Sequence, residues 1–189
     1  LFAGEGKALM SQFGHLSLRL IVCPDVNSSD AACQQNLDEH VVVGYRAHID
    51  ELSIDNIKGL MGGYDAYLYA YSFLDVYQEY AIGEFRELYS LPLSLDAVST
   101  EHLVRSLSQI HWGFSGEYKF LTKNCSSWLQ RALFVTTNDA LKSAQLDHIY
   151  WRPDHFFDAL RASSDSAWRL LDKPQAEQDG LYFPSTEQA

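Results

Sequence analysis

Basic residues are scarce in this chain. Its 189 residues carry 14 Lys plus Arg against 25 Asp plus Glu, a formal charge of −11. Such a surface repels phosphate backbones and anionic lipid, which excludes nucleic acid as a partner. Long apolar runs are missing as well, none reaching the ~18 residues that a membrane span requires. The metal-binding patterns CxxC, HxxxH and His-Glu-x-x-His are absent, so neither a metal nor another cofactor is expected. Gly62-Gly63 is not followed by Lys-Ser/Thr, which removes the phosphate-loop reading and leaves a tight turn. Repeats and low-complexity tracts are lacking. The numbering opens at Leu1 with neither Met nor a signal peptide. The chain therefore reads as a trimmed soluble piece, with any membrane proximity supplied by a segment outside it.

What is present suits a globular core: 47% hydrophobic, 21% charged and 13% aromatic residues. At this length one domain is expected, over residues 1–172, with 173–189 as a loose tail. Cys23 and Cys33 flank a polar, turn-rich loop, and a bridge between them suits an oxidising compartment. Cys125 is then an unpaired thiol, either a buried small residue or one kept for its reactivity.

The run Phe13–Val22 alternates and is rich in strand formers, as is His40–Ile49 beyond the cysteine loop. The two read as an antiparallel hairpin with His15 near Ala47-His48. Tyr67, Tyr69, Tyr71 and Phe73 recur at period two and read mainly as sheet packing, or else as the wall of an apolar groove. Leu103, Val104, Leu107 and Ile110 mark an amphipathic helix, a second helix starts near Cys125, and a third starts at Pro153. The expected class is α+β, an antiparallel sheet with helices packed on it.

Asn124-Cys125-Ser126-Ser127 sits at a helix N-terminus, where free N–H groups and the helix dipole favour a thiolate. A nucleophilic thiol needs a histidine partner. His15 is the first candidate, because Gly14 leaves the approach to its backbone open. His48 on the facing strand is the candidate third member, with Tyr45 or Arg46 as substitutes. His40 and His148 read as solvated or capping, and His102 as a helix-surface residue. On local spacing alone, Cys125 and His15 read equally as ordinary core residues.

Four motifs occur in one order: Phe13-Gly14-His15-Leu16-Ser17-Leu18-Arg19-Leu20, Gly59-Leu60-Met61-Gly62-Gly63-Tyr64, Glu84-x-Arg86-Glu87 and Tyr118-x-Phe120-x-x-x-Asn124-Cys125-Ser126. Over roughly residues 11–160 this order resembles the Lnb N-terminal periplasmic domain family. The resemblance implies a circularly permuted papain-like fold, related to lecithin:retinol acyltransferase, with the histidine strand ahead of the cysteine helix. It makes Cys125 the nucleophile and His15 the base, with Asn124 and Ser126 shaping the helix start. Asn124, Ser126, Tyr45 and Tyr64 are the candidates for substrate and oxyanion contacts. Gly44-Tyr45-Arg46 and Tyr71-Ser72-Phe73 depart from the family pattern.

The implied function is envelope acyl transfer through a thioester, in the manner of lipoprotein N-acylation, from a lipid donor to a lipoprotein or peptide amine. The same pair would serve a cysteine amidohydrolase on peptidoglycan or another envelope amide. The fold could also persist as a binding module with a silent thiol. The periplasm is the expected location.

Overall fold

The strand signal of Phe13–Val22 is real, but the run is divided between two sheets. A computed structural model describes residues 1–7, 11–51, 54–93, 95–136, 149–164 and 166–187. Among these lie two antiparallel four-stranded sheets and seven α-helices. In the first sheet, β1 (Phe2–Ala3) lies between β2 (His15–Leu16) and β6 (Leu88–Tyr89), and β8 (Tyr182–Phe183) pairs with the far side of β6. In the second, β3 (Leu18–Leu20), β4 (Val41–His48), β5 (Tyr64–Ser72) and β7 (Gly116–Tyr118) lie in chain order. The chain thus leaves one sheet at Leu16 and enters the other at Leu18, with Ser17 as the only residue between.

The expectation of one sheet is corrected accordingly. The expected hairpin forms only in part, pairing Leu18 with Val43 and Leu20 with Val41. Continued backwards, that register would set His15 against Arg46, but β2 pairs with β1 instead, Ala3 opposite His15. Gly14 makes this departure, at φ +81°, and a Cβ there would stand 2.3 Å from the Phe2 ring.

The helices are α1 (Asp30–Gln35), α2 (Asn56–Met61), α3 (Phe73–Tyr77), α4 (Ala97–Gly113), α5 (Cys125–Thr136), α6 (Pro153–Ser163) and α7 (Lys173–Gln178). Strand alternation sends Leu16, Leu18, Val43, Tyr45 and Leu68 into the main core, against Leu103 and Leu107 of α4, Leu129 and Leu133 of α5, and Phe156 and Phe157 of α6. Ala3, Val42, Leu88 and Phe183 form a second core with Phe73 and Val76 of α3 and with Tyr80. No helix among the described residues is long and apolar enough to cross a membrane.

Three further expectations change. On β5 the buried residues are Tyr64, Ala66 and Leu68, while Tyr67, Tyr69 and Tyr71 are half-buried on the other face. Period two gives a strand two faces, and the small and aliphatic one won the core here. The tyrosines stack in a row, with centroids 6.4 and 5.8 Å apart, and Arg46 covers the last ring. Residues after 172 are not loose: Leu181, Tyr182 and Phe183 are buried, and β8 pairs with β6. An apolar triplet inside a polar stretch suffices to tie that segment down. His40 is not solvated but 1% exposed, its Nε2 facing the Cys33 carbonyl and its Nδ1 accepting from Arg19. His102 lies on an exposed helix face, and His148 is outside the described residues. Cys23 and Cys33 are joined as a disulfide.

Candidate active site

Cys125 is the first residue of α5, and the residues around it explain why a helix starts there. Asn124 Oδ1 accepts from the Ser126 and Ser127 amides at 3.1 and 3.3 Å, an N-cap. Its Nδ2 donates to the carbonyls of Phe120 and Trp151, and Ser126 Oγ donates to that of Tyr150. Gln130, fully buried one turn on, donates to the Tyr150 carbonyl and accepts from the Tyr150 amide. Asn124 and Ser126 therefore do shape the helix start, by binding the 150–151 segment to it. Gln130 is a third member of this strap that sequence reasoning missed; its signal is a lone amide on an otherwise apolar helix face.

The thiol is 3% exposed. Its own amide donates to Tyr118 Oη at 3.2 Å, which sets that hydroxyl beside the thiol. The Leu16 and Ser126 amides, the Tyr118 hydroxyl and the Arg86 charge all favour the thiolate. Burial nevertheless outweighs these groups and pushes the Cys125 thiol above its ordinary range. The helix start favours a thiolate, but desolvation exceeds what one helix end supplies.

His15 approaches from β2, which packs against α5, the helix that Cys125 begins. Its half-buried ring stacks on Tyr80 at 5.8 Å. Burial, then the charges of Arg46 and Arg86, lower its pKa to about 3. Tyr80 itself sits in a π-helical turn, Gln78–Gly83, that continues α3. Arg46 forks onto both Glu79 carboxylate oxygens at 2.9 Å and donates to Tyr80 Oη. Arg86 is 3% exposed and donates to the Gly4 and Ala3 carbonyls and to Glu84. The two guanidiniums bracket the Tyr80 ring at 5.5 and 4.7 Å.

A cavity of about 250 Å³ opens beside this group, lined by His15, Arg46, Ala47, Ile49, Ile54, Tyr80, Tyr118 and Phe120. A second, largely apolar cavity of about 310 Å³ lies on the Leu16 side of the strand, walled by Leu18, Leu91, Leu103, Leu129, Leu133 and Leu160 among others. Neither Cys125 nor His15 lines it, although Leu129 is one helical turn below the thiol. The tyrosine row walls neither of these two spaces.

The other candidates sit elsewhere. Both ring nitrogens of His48 are engaged, Nδ1 with Tyr69 Oη at 2.7 Å and Nε2 with Asp50 at 2.9 Å. Tyr45 is packed between Phe114 and Trp128 in the core. Tyr64 is buried with its hydroxyl between Glu51 and the Asp55 amide, bracing the entry to α2. The structure thus gathers Cys125, His15, Asn124 and Ser126 with Arg46, the substitute third member, and adds Tyr118, Tyr80 and Arg86.

At neutral pH thiol and imidazole are both uncharged. Such a pair works by general base catalysis, the proton leaving sulfur as the sulfur bonds to an electrophile, rather than as a standing ion pair. No curated protein and no solved structure matches the chain. The family match covers residues 1–162, which include both sheet-forming motifs around His15 and the whole of the Cys125 helix start, and on it the chain belongs to the Lnb N-terminal periplasmic domain family.

Proposed function

We propose that this periplasmic domain is a thiol acyltransferase with a permuted papain-like arrangement, its base on a strand that precedes the nucleophile helix. Cys125 attacks an acyl ester of a membrane-derived donor, and His15 takes the thiol proton. The resulting thioester is then opened by an amine of a lipoprotein or peptide acceptor, with His15 assisting that second attack. The observation that carries the reading is the shared Tyr118: it lines the same cavity as His15, and its hydroxyl accepts from the Cys125 amide. The apolar cavity gives an acyl chain a place within one helical turn of the thiol.

The test is intact-mass measurement after incubation with an acyl donor such as a p-nitrophenyl octanoate ester. A single acyl adduct is expected on the wild type, cleared by a primary amine and absent from Cys125→Ala. An adduct that survives Cys125→Ala overturns the proposal.

A further inference from the structure

An attacked ester carbonyl becomes an oxyanion, and a helix start commonly meets it with the amides of its first turn. Here those amides already have partners. The Cys125 amide donates to Tyr118 Oη, and the Ser126 and Ser127 amides both donate to Asn124 Oδ1. The Tyr118 hydroxyl is placed differently. It accepts from the Cys125 amide, which leaves its own proton to donate beside the reacting sulfur. A hydroxyl that accepts from an N–H is polarised into a better donor.

Its position is also fixed. Tyr118 is buried at the end of β7, paired opposite Tyr64 of β5, and its ring packs edge-on against Phe120. We infer that the Tyr118 hydroxyl is the oxyanion donor of this site, relaying the Cys125 amide onto the carbonyl oxygen. This assignment rests on the acyl-transfer reading above.

In the step concerned, a sulfur lone pair forms the S–C bond and the carbonyl π pair moves onto oxygen, which Tyr118 Oη–H then holds. The thiol proton passes to His15. Collapse restores the carbonyl, breaks the C–O ester bond and returns the proton from His15 to the leaving alcohol. No oxidant or other co-reactant is required.

The experiment compares wild type and Tyr118→Phe in two reactions of the same thiol. Acylation by p-nitrophenyl octanoate builds an oxyanion, whereas alkylation by iodoacetamide displaces iodide and builds none. Removing one such donor is expected to slow acylation by about 100- to 1000-fold. Alkylation, followed across pH, should slow by less than about tenfold, since the variant removes only one of several groups that favour the thiolate. Retained alkylation and an unchanged circular dichroism spectrum report that the ring-conserving variant is folded. Equal losses in both reactions overturn the assignment and make Tyr118 a positioning residue for sulfur. Undiminished acylation in Tyr118→Phe also overturns it while leaving the acyl-transfer reading intact. A wild-type thiol that alkylates but is never acylated overturns that reading and this assignment together.

Discussion

Two neutral partners at one site set the pH behaviour of single residues. With His15 at about 3 and the Cys125 thiol raised, no imidazolium stands ready to hold a thiolate at pH 5–8. Alkylation of Cys125 is therefore expected to climb steadily through pH 9, with no plateau between pH 4 and 7. A pH series with iodoacetamide checks this, and a shoulder in the acid range would show an ion pair instead. The same His15 shift affects stability. Between about 3 and 6.5 the unfolded chain holds a proton that the folded chain refuses. Its contribution is thus complete above pH 6.5 and lost progressively as pH falls towards 3. The slope is about 1.4 kcal/mol per pH unit for one full proton, and His15→Gln should remove it from urea titrations between pH 7 and 5. At this scale helix-start logic placed Cys125 at the start of a helix, where the structure has it capped by Asn124, while the roles of Cys125, His15, Asn124 and Ser126 come from the family resemblance. Tyr118 stood inside a quoted motif but read only as extended chain. A hydroxyl's partner seven residues away depends on how a strand end meets a helix start, which no local pattern encodes. His48 was drawn towards His15 by an assumed register, and its ring bonds Tyr69 and Asp50 instead.

Among elements, the strap between α5 and the 150–151 segment invites a direct test. Gln130→Leu keeps the volume but withdraws a partner from the Tyr150 amide and carbonyl, which it now serves. Ser126 Oγ still reaches that carbonyl, so the amide loses its Gln130 acceptor and the carbonyl loses one of its donors. The expected loss is about 2–4 kcal/mol in urea unfolding, on a scale of about 1–3 kcal/mol per orphaned buried group. A loss under about 0.5 kcal/mol would show that the segment is held without it. Helices α4, α5 and α6 were legible because their apolar residues repeat over several turns. The first sheet was not. All four of its strands span only two residues, too short for alternation to show, and its order joins residues 2–3 to 15–16 and 88–89, and 88–89 to 182–183, by contacts far apart in sequence. The tyrosine strand was found, but with its inner and outer faces exchanged. Period alone does not say which side of a strand the helices cover.

On the scale of the whole molecule, the disulfide and the final strand belong to one assembly. Arg19 donates to the Gly180 carbonyl at 2.6 Å and to that of Gln34 at 3.2 Å, and its guanidinium lies 4.4 Å over Phe73. His40 links it to Cys33. Opening the Cys23–Cys33 loop by Cys33→Ser therefore loosens α1 and reaches the anchor of β8. The chain-entropy contribution of a loop this short is about 3 kcal/mol. A matching fall in the urea midpoint of Cys23→Ser/Cys33→Ser is expected, with faster amide exchange at Tyr182 and Phe183. Unchanged exchange there would show that the loop is stapled for its own sake. The bridge and the acidic balance were legible from composition and spacing. The burial of His40 and of residues 181–183 was not, since polar neighbours disguised both.

The single-residue passage from Leu16 to Leu18 has one more implication. A segment sewn into two sheets acts as a seam between them, and the imidazole is mounted on the seam. Neither sheet can shift against the other without dragging His15 away from Tyr80 and from the sulfur beyond it. The ring is thereby a strain gauge for the pair of sheets: its chemical shift should move at whichever sheet yields first, and the reach of the base to the thiol is limited by the weaker of the two.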